Sequence, residues 1–186
     1  MSTKYNLVSA ASSPVELGEM KSYLKMSHTN IDDKLIKTFI NSATQLGEQY
    51  TDRDFRVKTY ELLLDDLSDR IKILADKVNS ITKIEYTLLT VLTTIVSSTY
   101  YLKNLQQFSE VILAVDKTWP TDNDDIEQGY RIEFKTEAWE YIEEAKLAIM
   151  KHVAHLYLNR GDCDTKNAMD LSGATYIYDQ WIIPRI

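Results

Sequence analysis

WEYIEEAKLAIMKHVAHLYLNR, residues 139–160, is the segment around which the chain can be organised. Ile142, Ile149, Val153 and Leu156 recur on one line at helical spacing, with Leu147, Met150, Ala154 and Tyr157 beside them. Together they make an apolar arc too wide for a helix lying on a surface. Glu140, Glu143 and Glu144 stand in the first turns; Lys151, His152, His155 and Arg160 stand toward the end, which suits the helix dipole. Gly161 is a natural stop. At about 1.5 Å per residue the rod is roughly 33 Å long, enough to cross a small domain. The spacing predicts the central helix of a bundle.

Two earlier segments supply its partners. Ser13-Pro14-Val15-Glu16 reads as a helix start, with Ser as cap, Pro in the first turn and Glu three places after the cap. Leu17, Met20 and Leu24 then share one face, and this first helix ends near Ser27. A second helix is capped at Thr29 or Asn30 and carries Asp32 and Asp33 in its first turn. Leu35, Phe39, Ala43, Leu46 and Tyr50 carry it to about Thr51. Residues 1–12 are small and polar and read as a flexible arm.

From residue 55 to 136 the period changes. Short runs rich in β-branched and aromatic residues occur at 57–64, 71–74, 81–86, 94–102, 111–115 and 130–134. They predict five to seven strands, antiparallel in the main. Residues 119–129 form an acidic loop carrying Asp122, Asp124, Asp125 and Glu127. Residues 161–173 read as a polar, mobile linker. Residues 174–186 form a strongly apolar, extended tail with Tyr176, Ile177, Tyr178, Trp181, Ile182, Ile183 and Ile186. The fold class is therefore α+β: a helical bundle of two N-terminal helices and one long C-terminal helix, an inserted antiparallel β region, and the tail. One domain with a single core is expected, its bundle from 14–52 and 139–160, its β insertion at 55–136 and its tail at 174–186.

Composition narrows the function. A chain of 186 residues that is 44% hydrophobic, with five Gly and three Pro, can bury a core and is not a disordered polypeptide. Its 28 acidic and 21 basic side chains leave a net charge of −7, without a Lys/Arg block, so an electrostatic footprint for nucleic acid is lacking. Cys163 is the one cysteine, which excludes an internal disulfide and a cysteine-based zinc site. The longest uncharged run, residues 86–102, is too short and too rich in Thr and Ser to span a membrane. The amino terminus lacks the charged-then-apolar design of a signal peptide, so a cytosol-like compartment is expected.

No constellation points to catalysis. His152 and His155 lie three apart on one helix, but zinc needs three or four ligands, and helix-end cations, or polar groups at a subunit contact, are the simpler reading. The acidic loop lacks the Gly and Glu spacing of a calcium-binding EF-hand and reads as solvated. Cys163 sits between Asp162 and Asp164, which would hold a thiol protonated. No phosphate-binding, dinucleotide or serine-nucleophile motif occurs. Neither enzyme activity, a metal nor a cofactor is expected. The tyrosines of the tail read as interface anchors, and those of the strands as ordinary half-buried sheet residues.

Residues 148–160, AIMKHVAHLYLNR, resemble the A-I-x-x-x-V-A-H-x-Y-x-N-R helix of the tailed-phage head–tail connector (adaptor) family. Residues 15–24 are similar to its first helix, V-T-L-x-E-x-K-x-x-L, with Glu16 in place of a hydroxyl residue. Residues 32–43 are similar to its D-D-x-L-I-x-x-x-I-x-x-A start. Residues 73–86 resemble L-x-x-x-P-V-x-S-V-x-x-I-x-Y, with Lys77 in place of Pro, and 100–102 resemble the Y-x-V/L that follows. The resemblance runs in order from about 14 to 160. It implies a structural virion protein of the neck, between capsid and tail, held in the host cytoplasm before assembly. It also implies a cyclic homo-oligomer, a dodecamer, bound beneath the portal protein and joined to a stopper or tail protein. Genomic DNA would pass through the ring's channel without specific binding. On this reading Tyr176, Ile177, Tyr178, Trp181, Ile182, Ile183 and Ile186 dock the portal. Ile142, Ile149, Val153, Leu156, Tyr157 and Arg160 build the ring and bundle helix, and Asp122, Asp124, Asp125 and Glu127 face the channel. A DNA-packaging accessory ring of the small-terminase kind is the alternative, and the acidic charge opposes it.

Overall fold

The computed structural model describes residues 4–26, 29–75, 77–105, 108–121, 124, 127–160 and 165–182. The chain is α+β with antiparallel sheets and divides into two compact units. One comprises residues 1–11 and 57–137, the other residues 12–56 and 138–186. Each has its own apolar cluster, so the single core expected from sequence is two. Helical and strand periodicities bury different kinds of face, and here each unit closes its own.

The β unit begins with a correction. The expected flexible arm contains β1 (Lys4–Ala10), which pairs antiparallel with β2 (Lys58–Leu64). Composition alone marked the arm as loose, whereas partner-strand hydrogen bonds hold it. Strands β3 (Arg70–Ile73), β4 (Val78–Leu88), β5 (Val91–Thr94), β6 (Tyr100–Asn104), β7 (Ser109–Leu113) and β8 (Tyr130–Thr136) follow. Five make one sheet in the order β1-β2-β8-β4-β5, and three make another in the order β3-β7-β6. All described pairings are antiparallel. In β8, Tyr130, Ile132, Phe134 and Thr136 are buried while Arg131, Glu133 and Lys135 are not, the period-2 pattern of a sheet with one wet face. The cluster combines Leu62, Ile84, Ile132 and Phe134 of the larger sheet with Ile71, Ile73 and Val111 of the smaller. Two polar links join the sheets' ends: Leu74 N–H donates to Tyr5 Oη (2.9 Å), and Asn104 Nδ2 donates to the Val78 carbonyl (2.8 Å).

In the helical unit, α1 (Leu17–Tyr23) starts later than the capping pattern predicts. The Ser13 hydroxyl serves elsewhere: it accepts from Val15 N–H (3.3 Å) and shares a hydrogen bond with Thr44 Oγ1 (2.7 Å). The chain therefore turns before it coils, and Glu16 becomes the cap residue. Helix α2 (Asp33–Thr51) ends where expected, at left-handed Asp52. Lys21 fastens α1 to the start of α2, with Nζ 2.8 Å from both Asn30 Oδ1 and Asp33 Oδ1. Helix α3 (Ile142–Leu158) is shorter than the 139–160 expected. Trp139 is drawn out of it: its N–H donates to the Asp54 carbonyl (2.8 Å) and its ring joins an aromatic stack. Ile149 and Val153 of α3 are fully buried against Met20, Ile36, Ile40 and Ala43. Burying each such aliphatic side chain is worth about 1.5–3 kcal/mol.

The carboxyl-terminal expectations change most. The linker expected over 161–173 contains α4 (Thr165–Leu171), whose Ala168 and Met169 are buried. The tail expected to be extended is instead α5 (Ala174–Tyr178) and a 3-10 turn (Asp179–Trp181). Both fold back onto the helical core, because Ala174 and Tyr178 find apolar surface there and are wholly buried.

Gly47 of α2 makes room for this. A β-carbon there would lie 2.5 Å from Tyr178 Oη and 2.7 Å from Phe55 Cε2. Gly47→Ala should destabilise the protein by about 1–3 kcal/mol, since overpacking outweighs the gain in helix propensity. Gly18→Ala meets nothing within 4 Å and should stabilise it by up to about 1 kcal/mol. Urea unfolding midpoints of both variants check the contrast.

Candidate functional site

The carboxyl-terminal segment is held by an aromatic stack. Tyr178 stacks on Phe55 (5.7 Å between ring centroids), Phe55 on Trp139 (5.7 Å), and Trp139 meets Trp181 edge-on (5.2 Å). Tyr141 stacks on Trp181 (4.5 Å). Offset and edge contacts of this kind add about 0.5–1.5 kcal/mol each beyond burial. Arg53 completes the join. Its guanidinium lies 5.4 Å from the Trp139 ring centre, and its Nε donates to the Trp181 carbonyl (2.7 Å).

The residues expected to dock a partner therefore separate. Tyr178 is in the core, where burial pushes its phenol pKa upward. Ile177 and Trp181 are half-buried against the same core. Tyr176 is 76% exposed, and Ile182 is also exposed. Ile183 and Ile186 lie outside the described residues. Of the described residues in this segment, Tyr176 and Ile182 are the apolar side chains left exposed.

Tyr50 Oη donates to Asp179 Oδ1 (2.6 Å), clipping the 3-10 turn to α2. That hydrogen bond first, then desolvation and the Asp179 charge, push the Tyr50 pKa from 10.0 up to about 12. A raised tyrosine pKa means that the link contributes stability below the ordinary value and loses it as pH rises through the folded one.

On α3, Ile149, Val153, Leu156 and Tyr157 are buried, Ile142 is partly buried, and Arg160 is exposed. Tyr157 Oη donates to Asp32 Oδ2 (2.5 Å), and Arg160 Nη1 approaches the same oxygen (3.2 Å). The guanidinium also lies 4.3 Å from the Tyr157 ring centre. The Asp32 hydrogen bond pushes the Tyr157 phenol up. Thus the end of α3 is tied to the start of α2, and this pairing joins residues 125 and 128 positions apart. Sequence reading placed Asp32 only as a helix-start acid, because nothing local signals its partners. His152 is fully buried and His155 half-buried. Among the described residues no group of three His, Cys, Asp or Glu is placed to hold a metal. Among them, too, no helix is long and apolar enough to cross a membrane.

The acidic loop is in part a brace. Leu89 and Thr90 form the β4–β5 turn with φ of 50° and 64°, a conformation unfavourable for both residue types. Asp124 holds it: Leu89 N–H donates to Oδ1 and Thr90 N–H to Oδ2, both at 2.8 Å. Glu127 is exposed, and Asp122 and Asp125 lie outside the described residues.

Asp124→Ala should cost about 1–2 kcal/mol and speed amide exchange at Leu89 and Thr90, measurable by hydrogen–deuterium exchange. Tyr50→Phe should be less stable than the parent at neutral pH. That difference should close as pH rises toward about 12, which denaturant titrations across the alkaline range would check.

No family model matches the chain, and no curated protein sequence matches it. Solved structures do. A chain of the virion of a native gene transfer agent (GTA) particle is 17% identical with a TM-score of 0.72, and the match covers 98% of this chain and 96% of that one. A chain from the neck of an empty GTA particle, computed with C6 symmetry, is 18% identical with a TM-score of 0.71, covering 98% and 97%. A chain from the neck of a native GTA particle, computed with C12 symmetry, is 16% identical with a TM-score of 0.68, covering 98% and 97%. This protein therefore shares its α+β fold, over nearly its full length, with chains of the GTA virion and neck.

Proposed function

We propose that this chain is a non-enzymatic structural protein of the neck of a tailed-phage-like particle, a head–tail connector that assembles as a ring beneath the portal. The observation that carries this is the fold match to GTA neck chains along nearly the whole length of both partners, in particles computed with C6 and C12 symmetry. The motif order from residues 14 to 160 supports the same reading. In it, copies of the chain form a dodecameric ring, extend the DNA channel from the portal, and present a platform to a stopper or tail protein.

Exposed Tyr176 and Ile182 are the residues of the terminal segment best placed to dock a portal. They stand on backbone that the fold already orders, so docking costs little backbone freedom. The net charge of −7 suits a conduit, since cationic walls would hold sliding phosphates by releasing their counterions. Exposed Glu127 is the described acid of the 119–129 loop most available to such a wall.

Electron microscopy of the protein mixed with its cognate portal tests the function. A closed ring of copies is expected, and one or two bound copies would overturn it. The double variant Tyr176→Ser/Ile182→Ser should keep the parent's circular dichroism and lose roughly ten-fold or more in portal affinity. Unchanged affinity would remove these residues from the docking surface.

A further inference from the structure

The two longest uncharged runs of the chain, residues 5–15 and 86–102, contain the two edge strands of one sheet, β5 whole and β1 from Tyr5 onward, Lys4 being the one charged residue of either strand. The second run is too short to span a membrane, and the neck reading gives it no task. Its exposure calls for one: Val91 is 63% and Leu92 42% exposed, and Leu7 and Val8 on the opposite edge are each 56% exposed.

Sheet edges in soluble monomers are commonly blunted with charge or proline. Strand β5 has neither. Ile95 N–H donates to the Ile84 carbonyl (2.7 Å), which sets the phase of the hairpin ladder. In an antiparallel ladder, residues facing the partner alternate with residues facing away. With Ile95 facing β4, Thr93 and Val91 face it too, and Leu92 and Thr94 turn their backbone N–H and C=O groups outward. On the other edge, Ala11 N–H donates to the Val57 carbonyl (2.9 Å), so the Ala10 backbone turns outward. Among the described residues, no strand pairs with the outer side of either edge.

Direction and charge point to the occupant. Every neighbouring pair in β1-β2-β8-β4-β5 is antiparallel, so the fifth strand runs the same way as the first. A second copy turned about an axis along the strands then brings its β1 beside β5 in parallel orientation, and the step repeats. Such a contact joins two different surfaces head to tail, which is what a closed ring requires. Copies that each carry a net charge of −7 repel one another, and these edges, whose one charged residue is the basic Lys4, let them approach without like charges meeting.

We propose that the outer edge of β5 in one copy pairs, in parallel, with the outer edge of β1 in the next copy. The inference deepens the ring reading and rests on it. The bulge between Leu7 and Ser9 interrupts the partner edge, so the pairing uses short stretches on its two sides.

Two variants of the full chain test it, Leu92→Pro and Ala10→Pro. Each removes one outward-facing donor and leaves the pairing within its own sheet intact. Analytical ultracentrifugation and electron microscopy, with and without the cognate portal, read the assembly. The parent should form rings. Each variant should keep the parent's circular dichroism yet associate at least roughly ten-fold more weakly. A mixture of the two should stop at pairs, because only one sound β5 edge meets one sound β1 edge. In the parent ring, the Leu92 and Thr94 amides should gain protection from hydrogen exchange. If both variants form rings as readily as the parent, edge pairing is wrong and the ring reading stands. If the parent forms no ring even on the portal, the ring reading falls and the edge pairing with it. Should Leu92→Pro unfold, Leu92→Lys takes its place, and normal assembly of that folded variant would overturn the proposal.

Discussion

The bare backbone of Gly47 is the constraint on which the helical unit depends. Because α2 has no side chain there, the Tyr178 and Phe55 rings approach its surface closely enough that any β-carbon would collide with both. Tyr178 closes the core from the carboxyl-terminal side, and Phe55 passes the contact on to Trp139. Trp139 in turn leaves the first turn of the predicted long helix to meet Trp181. A vacancy the size of a methyl group on one helix thus sets where another helix begins and where the chain's last described turn is held.

This packing orders the terminal segment. An apolar tail in solution would have to be ordered when it binds, at a cost in conformational entropy. Here the ordering is done by the fold, through the aromatic stack, the Arg53 contacts and the Tyr50–Asp179 link. The apolar surface this segment leaves exposed, at Tyr176 and Ile182, is smaller than composition suggests. The link between Asp32, Tyr157 and Arg160 does similar work at the junction of α2 and α3, and it unites two of the segments that carry the connector resemblance.

The β unit places its polarity differently. Acidic and basic residues alternate across the wet face of the larger sheet, as in Arg131–Glu61 (3.3 Å) and Lys83–Glu85 (2.9 Å), while the two edge strands carry no charge except Lys4 at the start of β1. Asp124, counted at first among solvated loop acids, spends both carboxylate oxygens on a turn whose residues disfavour its geometry. An acidic residue in a loop is thus an incomplete statement until its hydrogen-bond partners are known.

Residue spacing alone carries a large part of the fold. The α+β class, the extent of α2, the buried line of Ile149, Val153 and Leu156, and most strand positions follow from spacings of three, four and two. These are local properties, because a face must be continuous to be buried. It did not determine β1, the late start of α1, the two separate cores or the folded-back terminus. For β1, α1 and the terminus a residue's role is assigned by a partner distant in the chain: β2 for β1, Thr44 for Ser13, Gly47 for Tyr178. Short-range pattern has no access to such pairings, since the free energy that selects them exists only once the distant surfaces have met. The same reason separates the five described apolar residues of the tail: they are alike in composition, and tertiary packing puts Tyr178 inside and leaves Tyr176 and Ile182 in water.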